Sequence, residues 1–369
     1  MDERAREHAE VLVGWSARIE AGDDVIVDVA EDAHDLGVAV AEELGAVGAN
    51  IVSTYGSDEL SRAYLKAHDG AFEAGDHALA LLENADAYLR LGGGRNTTAT
   101  ADVESETRQA YSKAHSEVRE ARMDTDWVST VHPTRSLAQQ AGMAYDEYQD
   151  FVYDAVLRDW GMLSERMANV KERLDEGSEV RIVTERDDHP RTDVTMSVEG
   201  RTAVNSAASV AYDSHNLPSG EVFTAPYDTE GEVFFDVPMT INAKRVRNVR
   251  LTFDDGEVVG FAAEQGEDAL ETVLNTDEGA RRLGELGLGM NRGIDRVTDN
   301  ILFDEKMGDT VHLAVGRAYD ANLPEGEEGN QSAVHVDLIT DVSEESFIEI
   351  DGDVIQRDGT FWFEDDFEA

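Results

Sequence analysis

The 369-residue sequence contains no cysteine, which removes disulfides, thiolate zinc sites and a cysteine nucleophile from the chemistry open to it. Lysine is scarce too: Lys66, Lys113, Lys171, Lys244 and Lys306 are the five among 31 basic side chains, and the rest are arginine. Basic charge as a whole is outnumbered, because 79 Asp and Glu give a formal net charge of −48. A chain so poor in positive surface lacks the basic face that nucleic acid requires. Nowhere do about 18 apolar residues run together, and Met1-Asp2-Glu3-Arg4 opens without the apolar stretch of a secretory signal. The expectation is a soluble, cytoplasmic protein without a membrane span.

What is present is ordinary core material in an unusual coat. Hydrophobic residues make up 41% of the chain. The acidic residues do not form the apolar-poor blocks of a disordered tail. They are spread along helices and loops, between clear apolar periodicities. This distribution suits a surface adapted to very high salt, where self-repulsion is screened within about 3 Å at 1 M.

The length suits two domains, since single cores rarely grow past about 250–300 residues. Residues 1–177 alternate helical and strand patterns. Strands are expected at 24–29, 50–54, 87–91 and 127–131, with a helix over 35–44, which implies an α/β domain with a mostly parallel sheet and flanking helices. Ala9, Val11, Leu12, Trp15 and Ile19 lie close to a helical stripe, with Gly22 at the expected cap. Long helical patterns run from Ala144 to Leu174. After Gly177 short strand-like runs dominate, at 180–184, 194–198, 233–237, 246–253 and 258–262. Turn signals such as Asp254-Asp255-Gly256 separate them, and the clearest helix is 267–274. Residues 178–369 therefore read as a strand-rich α+β domain, with a solvated acidic end at 364–368.

In the first half, Gly92-Gly93-Gly94-Arg95 follows a strand but lacks the full spacing of a phosphate-binding fingerprint, and suits any tight strand exit. His8, His34, His68, His77 and His115 lack a second ligand at useful spacing and are expected at the surface. The second half differs. Glu221 follows a turn and precedes Val222-Phe223. Glu285 stands alone in Leu283-Gly284-Glu285-Leu286-Gly287-Leu288-Gly289. Glu305 precedes a strand in which His312 lies between apolar neighbours, and Tyr319 comes seven residues later. His335 and Asp337 lie two apart on a strand and so share a face. A charged side chain in such surroundings is costly unless paired or metal-bound. Without cysteine, histidine and carboxylate ligands suit Zn²⁺, Mn²⁺ or Co²⁺, and shared carboxylates suit a pair of ions. A hydrolytic metal site is the reading of these residues. A phosphoesterase, an amidohydrolase or a non-catalytic cation-binding protein uses the same ligand types.

The segments NLPSGEVFTAP (216–226), GARRLGELGLGMN (279–291), NILFDEKMGDTVHLAVGRAY (300–319) and NQSAVHVDLI (330–339) resemble the thermophilic aminopeptidase family of metallopeptidases, which includes the aminopeptidases T and S. WSARIEAGDDVIV (15–27) is similar to the family's start, so the resemblance spans nearly the whole chain. It implies two divalent ions held by residues that map onto Glu221, Glu285, Glu305, His312, Tyr319, His335 and Asp337, with Glu285 as the bridge. It also implies peptide substrates, and a homodimer that encloses the active sites. Glu221 and Glu305 are the candidates for the base, and Tyr319 for a metal ligand or a donor to the oxyanion. Two departures stand out. The family usually carries tryptophan where Val336 separates His335 from Asp337, and the acidic stretch 320–331 differs in length, which touches the substrate rim more than the metals.

Overall fold

A computed structural model describes residues 2–187, 189–241 and 244–368, which divide into two compact units. The first, Met1–Arg158 with Ala208–Pro218, is built on a parallel five-stranded sheet. Its strands run in the order Asn50–Gly56, Asp24–Ala30, Ala87–Gly92, Asp126–Val131 and Asn216–Leu217. The strand Asp24–Ala30, second in this order, reads DVIVDVA and buries Val25, Ile26, Val27 and Val29, the near-continuous apolar run of a parallel strand covered on both faces. Helix His34–Val47 follows and ends on Gly48, whose φ of 91° is the left-handed cap glycine accepts without strain.

The N-terminal stripe is helical, but its end differs from expectation. Helix Glu3–Glu10 widens into a π turn over Val11–Ser16, and Arg18, not Gly22, takes the left-handed conformation nearest the helix, at φ 54°. Gly22 instead sits in the turn entering the first strand, its N–H donating to the Gly48 carbonyl at 3.1 Å.

The second unit comprises Asp159–Ala207 and Ser219–Ala369. Its division falls upstream of the change in sequence texture at 177. The pattern 144–174 is two helices, Tyr145–Val156 and Trp160–Glu176, separated where the Asp159 side chain accepts the Met162 N–H at 2.9 Å. The second helix buries Trp160, Ser164, Met167, Val170 and Leu174, a stripe at helical spacing. That stripe packs against strands Val204–Ser206 and Glu221–Thr224, so the helix belongs with the strands it covers. These strands lie in an antiparallel five-stranded sheet, ordered His335–Asp341, Thr310–Gly316, Leu283–Gly289, Glu221–Thr224 and Val204–Ser206. A nine-stranded sheet completes the unit. In it Lys244–Asp254 and Glu257–Gln265 form a hairpin, whose turn puts Asp255 and Gly256 at φ 54° and 72° as the sequence signal predicts.

The acidic end is not wholly solvated. Glu364 accepts from Arg292 Nη1 at 2.7 Å and lies 3.4 Å from Arg166, which ties it to the body of this unit. Among the described residues no helix is long and apolar enough to cross a membrane.

Candidate metal centre

The centre is assembled on one face of the five-stranded antiparallel sheet, and its register explains why these residues meet. Residues directly opposed across a strand pair share a face. Glu221 lies opposite Gly289, His312 opposite Gly287 and Ile339, and Ala314 opposite both Glu285 and Asp337. His335 lies opposite Gly316. Each functional side chain thus faces Gly or Ala on a neighbouring strand, His312 having Ile339 on its other side, which leaves room above the sheet. Gly287 shows the need most clearly. A Cβ there would stand 2.0 Å from Cε1 and Nε2 of the His312 ring, which lies across the glycine to reach Glu285. A bulge between Leu283 and Glu285 sets where the carboxylate emerges.

Two groups of donor atoms result, each within 4.8 Å of one another: Glu221, Glu285 and His312, and Glu285, His335 and Asp337. His312 is fully buried, and its Nε2 donates to Glu285 Oε1 at 2.8 Å while lying 3.6 Å from Glu221 Oε2. His335 Nε2 is 3.7 Å from Glu285 Oε2 and 3.6 Å from Asp337 Oδ1. Its Nδ1 donates to the Arg317 carbonyl at 2.8 Å, which fixes the ring and turns Nε2 toward the carboxylates. Glu221, Glu285 and Asp337 are each at most 9% exposed, yet Glu221 Oε2 and Asp337 Oδ1 have no hydrogen-bond partner. Buried carboxylate oxygens are costly unless satisfied. A divalent cation in each group would satisfy both, and the mixed imidazole and carboxylate donors suit Zn²⁺, Co²⁺ or Mn²⁺.

The electrostatics agree with a site that trades protons for cations. Burial pushes the Glu285 carboxyl up, against the pull of His312. Burial alone would lower His312, but its bond to Glu285 and the charges of Glu221, Glu285 and Asp337 hold it above the usual imidazole range. His335 is raised to about 9, its burial outweighed by Asp337 and Glu285. Asp337 is lowered despite burial, by His335, His312 and Lys306. Without metal, the His335 ring carries a proton at neutral pH.

Residues 1–361 match the family described as thermophilic metalloprotease, Peptidase M29. The chain belongs to that family. It is 29% identical to aminopeptidase 2 of Geobacillus stearothermophilus over 95% of its length and 94% of the relative's. It is also 29% identical to aminopeptidase T of Thermus thermophilus, with the same coverage of 95% and 94%. The solved structure of wild-type AmpT from Thermus thermophilus superposes with a TM-score of 0.83 and 26% identity, covering 97% of this chain and 99% of that one. The chain is accordingly a metallo-aminopeptidase with an α/β N-terminal part and a strand-rich C-terminal part.

Five of the residues singled out in the sequence converge in this M29 chain, and two stand beside them. Glu305 caps helix Ile301–Asp304 outside both donor groups, its carboxylate bonded to the Lys306 ammonium. Tyr319 places its ring 4.9 Å from that of His335. It leaves 43% of its surface exposed, yet desolvation and then the charges of Glu285, Asp337 and Glu221 push its hydroxyl pKa up, so it remains an O–H donor. The residue that sequence reasoning missed is Lys306. It is fully buried, with Nζ 3.4 Å from Glu221 Oε1 as well as against Glu305. The available signal was its rarity, one of five lysines, since a lysine is almost never fully buried unless paired.

The N-terminal candidates lie elsewhere. Gly92–Gly94 borders a small cleft with Asp28, Glu31 and Asp58, and a Cβ at Gly94 would meet Asp58 Oδ2 at 2.8 Å. Arg95 is paired with Asp32 at 2.8 Å. Arg90 also lines the cleft, but three acids outnumber it, which disfavours phosphate and leaves the triple glycine to the strand exit. His34 and His77 are exposed, while His68 and His115 are half-buried among aromatic rings. His8 departs from expectation, fully buried with Nε2 2.8 Å from Thr130 Oγ1.

Gly287→Ala tests the packing argument. The added methyl has to push the His312 ring aside, and displacements on the order of 1 Å cost about 10²-fold in rate. The expected result is a kcat/KM loss of at least that size with an unchanged circular dichroism spectrum. Wild-type kinetics in this variant would show that the ring's path over Gly287 is unimportant.

Proposed function

We propose that this metallo-aminopeptidase works with two divalent cations, one held by Glu221, Glu285 and His312 and the other by Glu285, His335 and Asp337. One observation carries the reading. Three buried carboxylates and two imidazoles converge, with Glu285 common to both groups, and two of the carboxylate oxygens lack a hydrogen-bond partner. When bound, such cations polarise the scissile carbonyl and lower the pKa of water from 15.7 towards about 7.

The chain's own side chains do the rest. Glu305 is the general base: it lies beside the donor groups without belonging to either, held by Lys306. It takes the proton of the attacking water and returns it to the leaving amine. Tyr319, still protonated at neutral pH, donates a hydrogen bond to the oxyanion that develops on the former carbonyl oxygen. Lys306 keeps Glu305 and Glu221 from repelling each other, which matters where both are screened from water. Restriction to N-termini follows from capture of the free α-amino group by one of the site carboxylates. The proposal includes a homodimer, on the strength of the family resemblance, and residues 178–369 as the catalytic part.

Chelation tests the core of the proposal. Exhaustive treatment should abolish hydrolysis of aminoacyl anilides, and Zn²⁺, Co²⁺ or Mn²⁺ should restore it at two ions per chain. Because His335 is raised to about 9 and carries a proton without metal, a cation must displace that proton, and the upward shift of His312 acts in the same direction. Apparent affinity should therefore climb as pH rises from about 6 to 8, by about tenfold per unit for each proton released. Full activity in a metal-stripped preparation would sink the reading.

A further inference from the structure

A cleft of about 820 Å³ opens beside the strand His335–Asp341, within the size range of small-ligand sites of about 300–1,000 Å³. His335 and Asp337 are among the residues that line it, so the cleft adjoins one donor group of the proposed centre. The rest of the wall is apolar in the main, broken by the uncharged polar residues Thr240, Thr272, Thr276 and Asn300. Met239 and Ile241 come from one strand, Val273 from helix Glu267–Leu274, and Val336 and Ile339 from the strand that carries the donors. Two acids also line it, and both are engaged within the protein. Asp299 is bonded to Arg245, while Asp304 is buried and accepts from the Thr298 N–H at 2.8 Å and its hydroxyl at 2.7 Å. Neither offers a free positive partner to an incoming carboxylate.

We infer that this cleft receives the side chain of the substrate's N-terminal residue, and that it selects large apolar side chains such as leucine, methionine and phenylalanine over alanine and over acidic residues. The inference rests on the proposed aminopeptidase reading and names the substrate class of that site. The apolar wall rewards each carbon removed from water. A missing methylene in a hydrophobic pocket costs about tenfold or more in kcat/KM, so leucine should exceed alanine by at least that factor. An acidic side chain meets apolar walls and two carboxylates, with no cation left unengaged by them. It loses hydration and gains no cationic partner, only uncharged hydroxyl and amide groups, beside two carboxylates that repel it.

The test is a panel of leucyl, methionyl, phenylalanyl, alanyl and glutamyl anilides, run on the full-length, metal-loaded protein in high salt. Metal content is measured on the same samples. Wild type should favour leucine over alanine at least tenfold and place glutamate last. Val336→Trp puts bulk into the cleft, and the leucine-to-alanine ratio should fall at least about fivefold with metal content unchanged. Met239→Lys supplies the missing cation, and the glutamate-to-leucine ratio should rise at least about tenfold, a gain that misfolding does not produce. A flat panel, or ratios unmoved by both substitutions while two ions and chelator-sensitive activity persist, would overturn the assignment of the cleft alone. Absence of bound metal together with chelator-resistant activity would instead remove the dinuclear reading beneath it.

Discussion

Glu285→Gln should release both cations from the enzyme, while His335→Ala should release one. The asymmetry follows from the geometry, because Glu285 is the donor common to the two groups and His335 belongs to one. Without Glu285, one half is left with Glu221 and His312 and the other with His335 and Asp337, two donors each. Loss of an outer-shell partner already costs about 10–100-fold in metal affinity, and loss of a coordinating carboxylate must cost more. Hydrolysis should therefore fall by well over about 100-fold, and micromolar metal should not restore it. Stability should move the other way. Glu285 is 5% exposed and its carboxyl is raised by burial, so its ionised form opposes folding above that raised pKa. Glutamine keeps the shape without the charge, and the metal-free variant should melt at or above the metal-free wild type. Mass spectrometry under native conditions reads the stoichiometry and calorimetry reads the midpoint. Two ions retained by the variant would mean that Glu285 does not serve both halves.

Much of this site could be read from the sequence, for a physical reason. Charged residues inside apolar, strand-forming runs have no cheap explanation, which marked Glu221, Glu285, His312, His335 and Asp337 before any fold was known. The two-residue spacing of His335 and Asp337 fixed their shared face, and the structure keeps it. What stayed hidden depends on pairing between distant strands. That Gly287 faces His312 is a matter of register, and register is invisible along one strand. Lys306 follows two acidic residues, Asp304 and Glu305, and nothing along the chain marks it as buried. Its burial exists because Glu221, 85 positions earlier, arrives on another strand to meet it. His8 was misplaced for a similar reason, since its partner Thr130 lies in a strand 122 residues away. The strand Asn216–Leu217 is too short to announce itself, and pairing with Asp126–Val131 returns that segment to the first unit.

Transfer from about 2 M to 0.1 M potassium chloride should lower the thermal midpoint by roughly 10 °C, and about 0.01 M should unfold the chain. A net charge of −48 over 17273 Å² of surface leaves about 360 Å² per charge, a spacing of about 19 Å. At that distance two like charges in water repel by about 0.2 kcal/mol without screening. With Debye lengths of about 10 Å at 0.1 M and 30 Å at 0.01 M, roughly a seventh of that survives in the first case and half in the second. Over about 140 neighbouring pairs, taking about six neighbours per charge, the repulsion reaches about 4 kcal/mol at 0.1 M and well over 10 kcal/mol at 0.01 M. At 1 M the screening length of about 3 Å leaves almost nothing. Lower salt also strengthens attractive pairs such as the exposed Arg191 with Glu185 at 2.7 Å, but surface pairs contribute about 0–1 kcal/mol each. With 79 acids against 31 bases, pairing every cation still leaves 48 acids unmatched. Repulsion therefore outweighs attraction, and at this domain size each kcal/mol moves the midpoint by about 2–4 °C. Sucrose separates screening from a general strengthening of apolar burial, because it stabilises by exclusion from the surface without screening charge. If sucrose replaced salt fully, or if the midpoint stayed within about 2 °C between 2 M and 0.1 M, the acidic coat would not be an adaptation to salt.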